Sequence, residues 1–167
     1  MRLSRMMGER VRMGMFAGMA AAAATAGVLI GFGIARGAPW SLINSVAMIA
    51  LGNDARFHVG FDAVTAVGLV VHVLSILLWG VVFAIVAWRL RRWWLAFAGL
   101  LFAGVVYGID ILLLPSRIAP GFESALSTPE LTIVFATLGM SLAAGVALAG
   151  PGSDESAAGS EAGGLSH

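Results

Sequence analysis

Asp62, Thr65, His72, Ser75 and Trp79 follow one another at steps of three, seven, three and four, the spacing of one face of an α-helix. A second carboxylate, Asp110, stands in another apolar stretch, with Tyr107 three residues before it. A histidine and an aspartate within hydrogen-bonding reach can hold or pass a proton. Inside a membrane, ionisable residues often mark a proton or substrate route. The structural alternative is that the same residues tie two helices together, a bond worth about 1 kcal/mol.

Other chemistries find little to work with. The chain has no cysteine and no lysine, so disulfides, thiolate metal sites, cysteine nucleophiles and Schiff bases are excluded. His58 and His72 lie fourteen residues apart, a haem-like spacing. His58 precedes the helix, however, and the only other histidine is the terminal His167, so no second axial pair exists. Histidines this sparse give no zinc cluster. No phosphate loop, His-Glu-x-x-His or Gly-x-Ser-x-Gly pattern is present. Ser116-Arg117 and Glu123-Ser124 offer no positioned base. No cofactor and no metal site is therefore expected.

The elements that carry these residues are apolar segments at about 11–35, 62–88, 93–114 and 129–149, each near or above the roughly 20 residues that cross a bilayer. In lipid such open segments satisfy their backbone only as helices. The expected fold is an all-α integral membrane protein, a four-transmembrane-helix bundle over residues 1–149. Pro115 should close the third span. Ser127-Thr128-Pro129-Glu130 should open the fourth, with a hydroxyl cap, an early proline and a carboxylate at the positive helix end. The stretch from Pro39 to Leu51 is apolar but short, and is expected as a short interfacial helix between spans one and two, with a half-helix dipping into a cavity as the alternative. Residues 150–167, rich in Gly, Ser and Ala with three acids, are expected as a disordered acidic tail.

Between spans two and three the chain reads Trp88-Arg89-Leu90-Arg91-Arg92-Trp93-Trp94. Tryptophan favours the headgroup level, and arginine in short loops is retained on the cytoplasmic side. These residues, with Trp40 at the other surface, are the expected interface anchors. Arg2, Arg5, Arg10 and Arg12 join the three arginines of the turn, against Arg36, Arg56 and Arg117 elsewhere, which puts both termini in the cytoplasm. The turn also serves as a ruler. His72 lies sixteen residues before Trp88 and Asp110 sixteen after Trp94. Both should stand about 24 Å above that surface, level with each other on adjacent antiparallel helices and paired.

Hydrophobic residues make up 59% and charged residues 11% of the 167, too apolar a surface for a water-soluble chain. The exclusive use of arginine and the abundance of Ala and Gly point to a GC-rich bacterial genome and a bacterial inner membrane. The net charge of +1 gives no field for nucleic acid. The expected partners are the lipid bilayer and either a second copy or a larger membrane complex. Gly14/Gly18, Gly27/Gly31, Gly33/Gly37 and Gly104/Gly108 match the small-xxx-small pattern, read first as close packing within one chain and second as a homodimer face. The leading functional expectation is a non-catalytic protein acting through helix packing or as an accessory subunit. A transporter with its polar path along span two and Asp110 is the alternative, and a membrane enzyme acting on a lipid-like substrate is a third.

Overall fold

A run of five alanines before Thr25 has the highest helix propensity available, and the first helix passes through it without a break. In the computed structural model, which describes residues 2–113 and 125–150 and all their side chains except those of 2–5, 111 and 112, every regular element is helical. The order is α1 (Arg2–Ala35), α2 (Ser41–Val46), α3 (Met48–Leu51), a 3-10 turn (Asn53–Phe57), α4 (Ala63–Ala87), α5 (Arg92–Gly108), a π-helical turn (Ile109–Leu113) and α6 (Thr128–Ala149). Three helices are long and apolar enough to cross a membrane, within Met6–Ala35, Ala63–Ala87 and Thr128–Ala149. Pro115, the loop residues Ser116, Arg117, Glu123 and Ser124, and the tail from 151 onward lie outside the described residues.

The helix ends follow from local chemistry. After α1, Gly37 adopts φ +72°, a conformation that costs glycine nothing. Its N–H donates to the Ile34 carbonyl and that of Ala38 to the Gly33 carbonyl, closing the last turn. Asp62 caps α4 by accepting from the Val64 and Thr65 amides, while Thr65 Oγ1 accepts from the Asp62 amide. At α6 the Glu130 carboxylate accepts from both the amide and the hydroxyl of Ser127.

Several boundaries differ from the sequence expectation. Helix α1 begins at Arg2, ahead of the start expected near Val11, so the arginine arm is part of the same helix. Arginine is a good helix former, and nothing before Val11 breaks the helix. The 39–51 stretch forms two short helices instead of one. Leu42 through Met48 are all buried. Ile49 and Leu51, at the end of the stretch, are exposed.

The packing order around the bundle is α4, α1, α6, α5. Helix α1 crosses α4 where Gly14 and Gly18 meet Gly80. A side-chain carbon at Gly80 would lie 2.7 Å from the Gly18 Cα. It meets α6 at Gly145, where the same atom would fall 2.5 Å from the Ala17 Cα. Helices α5 and α6 touch backbone to backbone at Gly99 and Gly139. By contrast α4 and α5, consecutive in the chain, barely touch. Their hairpin is splayed, and the ring of helices has one open seam.

The two ends of the bundle carry different chemistry. At the turn end the Arg10 guanidinium lies over the Trp88 ring at 3.7 Å, which brings the N-terminal arm and the turn together. Trp93 and Trp94 stack at 4.2 Å, exposed. At the far end Trp40 packs on Phe61 at 4.9 Å. There Arg36 joins both oxygens of Glu130 at 2.7 Å. The position of Arg36 at the end of α1, beside the start of α6, selects Glu130, and Arg56 lies over Phe57.

Candidate functional site

Between the splayed halves of the hairpin, toward the far end, lies a cavity of about 230 Å³. Thr25 on α1, His72, Ser75 and Trp79 on α4, and Asp110 in the π-helical turn line it. Val46 and Ile49 of the short helices wall one side, and Val134 and Leu138 of α6 another. A π-helical turn is a rare local distortion that recurs at functional sites, and here it falls on the half-buried Asp110 carboxyl.

His72 and Asp110 thus face one cavity, and no hydrogen bond joins them among the described residues. The expected pair is corrected by the packing: α4 leans on α1 rather than on α5, so His72 finds its partner there. Its Nε2 lies 3.1 Å from Thr25 Oγ1 and 3.3 Å from the Ala22 carbonyl. The single Thr25 hydroxyl proton is committed to the Ala21 carbonyl at 2.8 Å. Thr25 Oγ1 therefore accepts, and His72 Nε2 carries the proton. That leaves Nδ1 as an acceptor, without a partner among the described residues.

The polar stripe expected on span two divides. Asp62 is an exposed helix cap outside the cavity. Thr65 is fully buried and donates to the Gly60 carbonyl, supporting the connection before α4. Only His72, Ser75 and Trp79 reach the cavity. Ser75 stands exposed at its mouth rather than inside the bundle, because the splayed hairpin leaves that face uncovered. Tyr107 does not line it and packs edge-on against Phe135 at 5.1 Å. Arg89, Arg91 and Arg92 are exposed at the turn end, far along α5 from Asp110.

Two residues of consequence went unread in the sequence. Thr25 is the only polar residue between Arg12 and Arg36, a signal lost in the alanine run around it. Asn44 is fully buried, and its amide donates to the carbonyls of His58 and Gly60, fixing the 3-10 turn region to α2. Nothing in its local pattern marks this role, since both acceptors are backbone atoms.

A serine, a histidine and an aspartate around one cavity raise the question of a nucleophilic relay. The required bonds are absent: the Asp110 carboxyl does not orient the ring, and the Nε2 proton is held by α1. No group of three metal-binding side chains converges among the described residues. His58 is held by Asp62 at 3.0 Å at the far end, remote from the Thr25–His72 bond.

With that geometry in place, the chain matches no protein-family model, no curated protein and no solved structure.

Ser75 Oγ, Trp79 Nε1, His72 Nδ1 and the Asp110 carboxyl have no hydrogen-bond partner among the described residues. Left open at one cavity, these groups are free to meet water or a polar ligand.

Proposed function

We propose that this chain is a four-span, non-catalytic protein of a bacterial inner membrane that holds a small polar-headed ligand in the cavity between α4 and α5, alone or as an accessory subunit. The observation that carries this reading is the convergence on one apolar-walled cavity of polar groups from α4 and the π-helical turn that have no partner among the described residues.

The fourth span is proposed from α5 and its continuation. The helix itself has 17 residues and the π-helical turn adds five, which together reach the length a bilayer requires. Both termini are proposed to be cytoplasmic, since the arginine arm and the arginine turn share one end of the bundle. The 39–51 segment is proposed to dip beside the cavity rather than lie flat, which suits the burial of Leu42 through Met48 and the contribution of Val46 and Ile49 to the wall.

A transport path is the second reading, and the cavity supports its outer half only. Toward the turn end the core is Phe83, Ala84, Leu95, Leu142 and Val146, with no polar side chain among them. The chain lacks cysteine, so Ser75→Cys places one thiol at the cavity mouth. In intact membranes this thiol is expected to react with an impermeant thiol reagent. Silence would mean a lipid-filled seam and would overturn the binding reading.

A further inference from the structure

The groups at the cavity are unequal in kind. His72 Nδ1 and both Asp110 oxygens accept, Ser75 Oγ can do either, and the Trp79 indole offers one N–H and a π face. No arginine lines the cavity among the described residues. An anionic head would meet the Asp110 carboxylate with no compensating cation among the described residues. A hydroxyl head brings one proton for several acceptors. An ammonium brings three donors and a positive charge to a carboxylate that has no cationic partner among the described residues.

The open seam supplies the rest of the ligand. From the cavity toward the turn end, α4 and α5 enclose a second hollow of about 450 Å³ with almost wholly apolar walls, including Phe83, Val86, Trp94, Phe97, Leu101 and Val105. The two hollows abut where Trp79 meets Phe102 at 5.9 Å and Phe102 meets Phe83 at 5.2 Å. From Val105 to Trp94 the groove runs about 16 Å along α5 at 1.5 Å per residue. That is about half of a roughly 30 Å hydrocarbon core, the depth of one lipid chain.

We infer that the ligand is a long-chain primary ammonium amphiphile drawn sideways from the bilayer, its head on Asp110, His72 and Ser75 and its tail in the groove between α4 and α5. This rests on the binding reading above and narrows it to one ligand class. The order of elements explains the entry: the one seam left open in the ring is the seam both hollows occupy.

The test uses the full chain carrying Ser75→Cys in lipid nanodiscs, with dodecylammonium as probe. Dodecylammonium should slow labelling of the thiol and should raise the melting temperature of the unmodified protein. Asp110→Asn should weaken both effects about tenfold or more, the loss expected for a hydrogen bond between charged groups. Dodecanol and dodecanoate should protect far less at equal concentration, and so should butylammonium, which lacks the tail. Equal protection by dodecanol or dodecanoate, or an Asp110→Asn protein that responds like the parent, would overturn the ammonium assignment. Equal potency of butylammonium would overturn the tail groove and lateral entry. If the thiol labels freely and dodecylammonium neither protects nor stabilises, this inference falls while the binding reading stands. A thiol that never labels removes the binding reading and this inference with it.

Discussion

His72 is the residue on which the sequence expectation and the folded chain part most clearly. Its depth could be read from the Trp-Arg turn, because a helix advances a fixed distance per residue. Its partner could not, because partner choice depends on which helix α4 leans against, and that is set by glycines far from His72. The bond to Thr25 should be measurable as coupling in a double-mutant cycle. Thr25→Val and His72→Ala, each and together, are expected to show an interaction of about 0.6–1.7 kcal/mol in detergent unfolding. The cycle of His72→Ala with Asp110→Asn is expected to be additive, since no bond joins them. Coupling in the second cycle and none in the first would reverse the assignment.

Asp62 makes a second prediction at this scale. Its carboxyl is held below the ordinary carboxylate range, first by the His58 ring and then by the Val64 and Thr65 amides. The folded protein therefore prefers the ionised form more than the unfolded chain does. That contribution is complete above the unfolded value near pH 4, and is lost as pH falls through the lower folded value. Melting temperatures recorded from pH 6 down to pH 3 should fall, and Asp62→Asn should remove part of the fall. Identical profiles for the two proteins would show that the cap is not the titrating group.

At the scale of elements, helix existence was legible and helix partnership was not. Apolar length marked the spans, and the Ser127–Glu130 pattern marked the start of α6, because both are local. The glycine patterns on α1 were visible as well, but sequence alone does not say which are used. Gly14 and Gly18 are used, against Gly80, whereas Gly27 and Gly31 have open space around them. Gly80→Ala would drive a methyl into the backbone of α1 and is expected to cost about 1–3 kcal/mol. Gly27→Ala should lie within about half a kcal/mol of the parent or stabilise it, since alanine favours the helix. Thermal melts of the two proteins compare them directly, and equal losses would contradict the crossing at Gly80. The same backbone contacts explain the splayed hairpin: glycine pairs draw α4 to α1 and α5 to α6, and no such pair draws α4 to α5.

For the whole molecule, the consequence is a bundle closed by glycine contacts on three sides and open on the fourth. The polar groups gather in the open side toward the far end, while the turn end is an apolar core below a tryptophan and arginine collar. Neither the cavity nor its open side could be read from the sequence, because both depend on what the helices leave uncovered. The most direct test of this account compares two single-cysteine chains, Ser75→Cys and Ala84→Cys, labelled from each side of the membrane with an impermeant thiol reagent. Ser75→Cys is expected to react from the outer side alone, and Ala84→Cys, fully buried nine residues nearer the turn, from neither. Silence at Ser75→Cys, or reaction of Ala84→Cys from the cytoplasmic side, would contradict a one-sided binding cavity.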